Sequence, residues 1–268
     1  MRFVLALLTI AITSSPAAAQ APADAPVWRP VVMGTYGMVA AEHPLEVMAG
    51  WEVLEGGGNA FDAATAVFYM TTVVEQHQAG MGGDAFIVAY VADQDRVVFI
   101  NGTGGAPALA TSEYFRELGG IPDAGPDATD VPGAVGGFDL ALKTFGTQSY
   151  ARVLAPAIRA AREGHPLDFW SSTYHQNNVE KTAPYPSSVG ILMPEGRALD
   201  RGDVFVQEDL AASMELIAEG GADVFYRGEL ANAFSDFYEE MGGRLRYADL
   251  AAFEPELSDP IMTEFEGL

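Results

Sequence analysis

From Gly37 onward, the spacing of apolar and polar positions marks out a series of short elements. Gly37 to Glu42 is a short apolar segment and predicts a strand. Pro44 suits the first turn of a helix, where its missing N–H costs nothing. Val47, Trp51 and Leu54 recur at i, i+4 and i+7, one helical face, and Gly56-Gly57-Gly58 ends the run. Asn59 then caps a second helix, with Asp62 in its first turn facing the positive end of the helix dipole. From Ala63 to Val74 almost nothing is polar except Thr, so this helix is buried all round and is expected to pack against a sheet. Asp62 and Glu75 bracket it, which argues against a membrane span.

Two runs rich in β-branched and aromatic residues follow, Ala85–Val91 and Val97–Ile100, with Asp93-Gln94-Asp95 between them, the signature of a hairpin. The loop Asn101-Gly-Thr-Gly-Gly-Ala-Pro107 leads to a short helix, Thr111–Leu118, stopped by Gly119-Gly120. Residues 121–133 hold three Pro, two Gly and three Asp and form a loop. The second half reads as largely helical. Pro156–Glu163 ends at Gly164. A second helix carries Leu210, Met214 and Ile217, and a third carries Leu230, Phe234, Phe237 and Met241. Pro260–Phe265 predicts a final strand. No internal repeat or low-complexity tract is present.

The first nineteen residues change the picture of where the chain works. Arg2, the apolar run Phe3–Ile12 and the small residues Ala17-Ala18-Ala19 read as a signal peptide cut after Ala19, too short to span a bilayer. Residues 20–36 form an Ala/Pro-rich linker. A periplasmic or secreted protein is expected, with no membrane span once the signal is removed. At 49% hydrophobic and 19% charged the chain has enough apolar material for one substantial core. The formal charge of −23 repels nucleic acid and anionic membrane surfaces. With no cysteine there are no disulfides, thiolate metal sites or cysteine nucleophiles.

Few residues suggest chemistry by themselves. Gly80-Met-Gly-Gly83 follows a helix and precedes a strand, the reverse of the order a dinucleotide loop requires; it reads as a tight turn that lets helix and sheet meet closely, and so do the glycines from Gly133 to Gly137. His43, His77, His165 and His175 form no helical pair, and no metal is expected. Glu75 and His77 would diverge on a helix but can converge in a loop. Asp62, Glu75 and Asp84 lie in apolar surroundings and are expected to be hydrogen-bonded structural anchors. There is no Gly-x-Ser-x-Gly elbow.

As ordered strings the residues say more. Gly37-Met-Val-Ala-Ala-Glu-His-Pro44, Glu55-Gly-Gly-Gly-Asn-Ala-Phe-Asp-Ala-Ala64 and Val74-Glu-Gln-His-Gln-Ala-Gly-Met-Gly-Gly83 together resemble the opening of the γ-glutamyltransferase (glutathione hydrolase) family. Val131-Pro-Gly133, Pro156-Ala-Ile158, Glu163-Gly164, Gln207–Leu210, Phe225-Tyr-Arg-Gly228, Gly242-Gly243 and Asp249-Leu250 look like its later landmarks, so the resemblance runs over about residues 37–265.

The resemblance implies an α+β fold, the four-layer αββα sandwich of Ntn hydrolases, incomplete here. It implies a precursor that cuts itself, a small-subunit partner from the same chain, and a new N-terminal threonine whose own amine activates its hydroxyl. No cofactor is implied. The family's Thr-Thr-His-like cleavage site would lie beyond Leu268, so no catalytic nucleophile is expected within residues 1–268 and this portion alone is expected to be inactive. Thr71-Thr72 does not qualify, being inside the apolar helix. The substrate, a γ-glutamyl or other acyl amide, would be met by Asn101, Gly102, Thr103, Gly104 and Gly105. Here the sequence departs from the family, which usually places an arginine just before an Ala-Pro to grip the glutamyl carboxylate. The stretch Asn101–Pro107 holds no arginine, with Arg96 and Arg116 the nearest substitutes in sequence. Asp84 and this loop look more like an acylase-like branch. An acylase of the same fold and an inactive binding homologue stand as alternatives.

Overall fold

The computed structural model describes residues 32–265; the signal-peptide segment and most of the linker lie outside these. A compact unit begins at Gly37. Its first two helices are α1 (Pro44–Glu55) and α2 (Ala60–Val74). The hairpin β1 (Ala85–Val91) and β2 (Arg96–Gly102) pairs antiparallel, Ala85 opposite Gly102 and Val91 opposite Arg96, with Asp95 left-handed in the connection. Next come α3 (Ser112–Leu118), α4 (Ala134–Phe145) and α5 (Tyr150–Glu163). A smaller excursion holds β3 (His165–Pro166), α6 (Phe169–Asn177), α7 (Val179–Thr182), α8 (Pro186–Leu192) and β4 (Val204–Phe205), with β4 pairing back on β3. The chain ends in α9 (Glu208–Gly220), α10 (Ala222–Tyr226), α11 (Glu229–Glu240), α12 (Tyr247–Ala251) and β5 (Glu256–Ser258), which joins β2 to complete a sheet of order β1-β2-β5. No helix among the described residues is long and apolar enough to cross a membrane.

Several elements differ from the sequence reading. Residues 37–42 form no strand: the segment pairs with no described strand, and Met38 is exposed. In α1 the buried face is Glu46, Ala49, Gly50 and Val53, while Trp51 lies at the surface. Small residues win this face because α1 crosses α2 closely: a methyl group on Gly50 would sit 2.8 Å from Val67 Cγ2. The helix α2 is buried as expected, but its neighbours are α1, α5 and α4, and the helix packed on β1 and β2 is α4. Gly136 and Gly137 belong to the first turn of α4 rather than to a turn, although the close helix–sheet approach they were expected to permit does occur. Ser149 caps α5, which begins at Tyr150, six residues before the expected start at Pro156. The last strand sits at Glu256–Ser258 rather than 260–265, because Pro260 has no N–H to give the ladder.

One buried carboxylate ties the helices together. Asn59 and Asp62 form a capping box at the start of α2. Asp62 also accepts hydrogen bonds from the Thr147 N–H (2.8 Å), the Thr147 hydroxyl (2.7 Å) and the Gln148 N–H (3.0 Å), and Asn59 Nδ2 donates to the Phe145 carbonyl (2.6 Å). The α1–α2 junction is thereby bolted to the α4–α5 junction. Burial alone would raise the Asp62 carboxyl, but the donors from Thr147, Asn59 and Gln148 outweigh it and hold it below its ordinary value.

Asp62→Ala should destabilise the protein by about 3 kcal/mol at pH 7 in urea unfolding, because several charge-assisted bonds go at once. The sign with pH follows from the lowered carboxyl: its contribution is present above the unfolded value of 3.8 and lost as pH falls through the folded one. The gap between wild type and variant should therefore close in acid.

Candidate functional site

Three glycine-bearing segments meet at one end of the hairpin. Gly80–Gly83 is a tight turn closed by the Gly83 N–H on the Gly80 carbonyl (3.0 Å), and the Gly83 carbonyl accepts from Gly133 (3.0 Å) and Ala134 (2.8 Å) at the start of α4. The end of β2 and the following loop lie against the same point. The Gly104 N–H donates to Asp84 Oδ1 (3.0 Å), the Thr103 N–H to Asn101 Oδ1 (3.1 Å), and the Val131 N–H to the Gly105 carbonyl (3.0 Å). Contact is backbone on backbone. A methyl group on Gly104 would overlap the Val131 carbonyl, one on Gly133 would overlap the Gly102 carbonyl, and one on Gly102 would lie 3.0 Å from the Gly133 oxygen. Around Gly105 there is open space.

Support comes from behind and beside. The buried Tyr226 hydroxyl donates to the Pro132 carbonyl (2.9 Å) and accepts from the Gly136 N–H (2.9 Å), and its ring stacks on Phe253. Burial raises this phenol, so it stays protonated and keeps donating. Asp249 Oδ1 accepts from the Ala108 N–H (2.9 Å), holding the far end of the loop.

The five candidate residues 101–105 are therefore contiguous along one strand end and its loop, with Gly102 buried, Asn101, Thr103 and Gly104 half-buried and Gly105 exposed. Thr103 Oγ1 is buried and has no partner among the described residues, so its hydroxyl is uncommitted. The local charge is negative. Partial desolvation and the adjacent Asp84 carboxylate raise the Asp130 carboxyl above its ordinary value. Neither Arg96 nor Arg116 takes the place of the missing one. Arg96 lies at the opposite end of β2, about 17 Å of strand away from Asn101, and bonds to Gln94. Arg116 pairs with Glu113 on exposed α3, and the Arg246 guanidinium is engaged by the Gly243 and Leu245 carbonyls. Of the three acids expected to be anchors, Asp62 and Asp84 accept backbone N–H groups; the Glu75 carboxyl accepts no described N–H and is hydrogen-bonded to the Glu46 carboxyl. Asp130, Tyr226 and Asp249 were not legible as neighbours of this loop, since they reach it from up to about 140 residues along the chain through contacts that no local pattern encodes.

The sequence model of the Gamma-glutamyltranspeptidase family matches residues 47–268. The chain is 36% identical over 237 residues to the glutathione hydrolase-like YwrD proenzyme of Bacillus subtilis (strain 168), covering 88% of this chain and 45% of that protein. It is 38% identical over 245 residues to the acylase ACY 1 proenzyme of Pseudomonas sp. (strain SE83), covering 87% and 44%. The chain thus spans less than half the length of these relatives. Among solved structures it is similar to Helicobacter pylori gamma-glutamyltranspeptidase (TM-score 0.85, 30% identity, 89% of this chain and 70% of that one). It is similar also to cephalosporin acylase from Bacillus halodurans (TM-score 0.86, 35% identity, 91% and 47%).

Substitution of two adjacent glycines should separate packing from open space. Gly104→Ala should cost more than about 3 kcal/mol or prevent folding, whereas Gly105→Ala should stay within about 0.5 kcal/mol of wild type in thermal denaturation.

Proposed function

Because the chain belongs to the γ-glutamyltranspeptidase family and carries the large-subunit portion of its Ntn-hydrolase fold, we propose that it forms the acyl-pocket half of an exported amidohydrolase. The enzyme cleaves γ-glutamyl amides such as glutathione and passes the acyl group to water or to an amino acid. The convergence of the three glycine segments on Asn101–Gly105 carries this reading, since it holds the candidate loop rigidly while leaving the Thr103 hydroxyl and the space at Gly105 uncommitted. The nucleophile is the threonine exposed when the longer precursor cuts itself, and the first nineteen residues direct export to the periplasm or beyond. The partner is the small subunit so released. An open sheet face supports that partnership: α4 covers one side of β1 and β2, while Phe86, Val88 and Tyr90 on the other are exposed to solvent, with Phe86 stacked on Phe99. Stacking of a second sheet there would complete the four-layer sandwich.

One observation favours a second reading, an acylase of different acyl specificity. With no arginine in the stretch 101–107, and with Asp84 and Asp130 beside it, the loop repels a carboxylate rather than gripping it.

The full-length precursor run on a denaturing gel should give two bands, the smaller beginning with threonine; a single band rejects the enzyme reading. The mature enzyme should then hydrolyse γ-glutamyl-p-nitroanilide faster than glutaryl-p-nitroanilide, and equal kcat/KM values select the acylase reading. Gly105→Arg should lower KM for the γ-glutamyl substrate about tenfold, the worth of one charge-assisted contact.

A further inference from the structure

Glu75 is the C-cap residue of α2, and Glu46 lies in the first turn of the neighbouring α1. Both are buried, Glu75 8% exposed and Glu46 2%, and their carboxyl groups are hydrogen-bonded to each other. Glu46 Oε2 accepts the His43 N–H (3.1 Å) in the capping box of α1, while Oε1 meets no N–H or hydroxyl among the described residues. Neither side chain forms an ion pair among the described residues. A hydrogen bond between two carboxyl groups needs a proton on one of them, since two ionised carboxylates only repel. Helix direction decides which one carries it. Glu46 faces the positive end of α1, whereas Glu75 sits at the negative end of α2, whose last turn has no basic residue. The proton therefore rests on Glu75, and its O–H donates to Glu46 Oε1.

The titratable groups around the pair do not stand in for that proton. Glu42 and Asp168 add two more carboxylates, and Asp168 is committed to the Ser171 N–H at the start of α6 (2.7 Å). All four histidines gather at the same junction. The His43 and His165 rings are 6.4 Å apart, His165 and His175 both lie edge-on to Phe205, His175 Nε2 meets Gln76 Nε2 at 2.7 Å, and the His77 ring lies 5.2 Å from that of Tyr174. His43 Nδ1 accepts the Leu45 N–H (3.1 Å), so that nitrogen carries no proton. Burial holds His77 and His175 below their ordinary values and lowers His165 to about 4. Desolvation, then the carboxylates of Glu46, Glu42 and Asp168, raise Glu75 to about 7.

We propose that the proton shared by Glu46 and Glu75 is a pH-operated clasp between the start of α1 and the end of α2. The Glu75 carbonyl accepts the Gln78 and Ala79 N–H groups (2.8 and 3.0 Å), which begin the turn that runs on to Gly80–Gly83. The clasp thus also anchors the segment whose Gly83 carbonyl receives the first turn of α4. When Glu75 ionises, its proton goes to solvent, the bond to Glu46 breaks, and two like charges face each other. A cavity of about 460 Å³ lined in part by Glu75 gives the ionised side chain room to turn away from Glu46. Glu75 is raised above its unfolded value of 4.5, so the clasp contributes fully below that value and is lost as pH rises through about 7. This device does not depend on the reaction proposed for the loop at 101–105.

Infrared difference spectroscopy and hydrogen exchange of the full-length protein test the clasp. Between pH 6 and pH 8 the wild type should lose the C=O stretch of a protonated buried carboxyl, a loss that neither Glu75→Gln nor Glu46→Gln should show. Glu75→Gln replaces the O–H donor by an N–H that does not titrate. Glu46→Gln offers the ionised Glu75 an N–H to accept and keeps an oxygen for the His43 N–H. In peptides covering residues 75–83, exchange of the wild type relative to either variant should speed up at least about tenfold from pH 5.5 to pH 8. Taking the ratio at each pH cancels the intrinsic base catalysis of exchange. Far-ultraviolet circular dichroism checks that each variant folds, and either one alone suffices for the comparison. A wild type with no such carboxyl band, a band lost equally from wild type and a folded variant, or an exchange ratio independent of pH overturns the proposal.

Discussion

The backbone contact between the end of β2 and the start of α4 is the constraint on which the rest of the arrangement depends. Gly102, Gly104 and Gly133 have no side chains because the carbonyls of Gly133, Val131 and Gly102 occupy the space a Cβ would need. That approach lets Gly83 accept two N–H groups from the first turn of α4, and it presses α4 onto the hairpin. Helix α4 then presents Phe138 to stack on Phe68 of α2, and α2 carries the core outward to α1 and α5. The same contact fixes residues 101–105 on a strand end rather than on a free loop, so the candidate site inherits the rigidity of the core.

Charge divides the surface of this molecule into regions with different consequences. Most of the net −23 is solvated and bears on solubility. Some of it is satisfied internally: Asp62 accepts four hydrogen bonds and serves as a junction bolt. The exposed pair Asp84 and Asp130 gives the candidate loop a negative edge, whereas Glu75 is buried beside Glu46 and is raised by desolvation and the neighbouring carboxylates. Those are different settings of the same residue type, and burial together with the available donors distinguishes them.

The bare face of the β1-β2-β5 sheet fits the coverage of relatives more than twice as long as the matched stretch. A hairpin with alternate residues inward against α4 and outward to solvent should be polar on its outer face, yet Phe86, Val88 and Tyr90 point there. An apolar outer face is the pattern of a sheet on which another layer can pack.

Sequence by itself determined the local elements and the family. The Asn59–Asp62 capping box, the all-apolar α2, the β1–β2 hairpin, and the glycine stops after α1 and α3 are encoded within a few residues, because caps, periodicity and turn residues act over that range. The ordered motifs from Gly37 to Gly83 identified the family for the same reason. Tertiary structure alone decided which face of α1 turns inward, where Gly50 beats Trp51 because two helices must cross closely; that α4 rather than α2 lies on the sheet; and that residues 37–42 form no strand for want of a described partner. It alone brought Asp130, Tyr226 and Asp249 to the loop at 101–105, and four separate histidines together, of which His165 and His175 are buried. Those contacts join residues tens to more than a hundred positions apart, and their free energy lies in burial and hydrogen bonding between distant segments, which a one-dimensional pattern does not record.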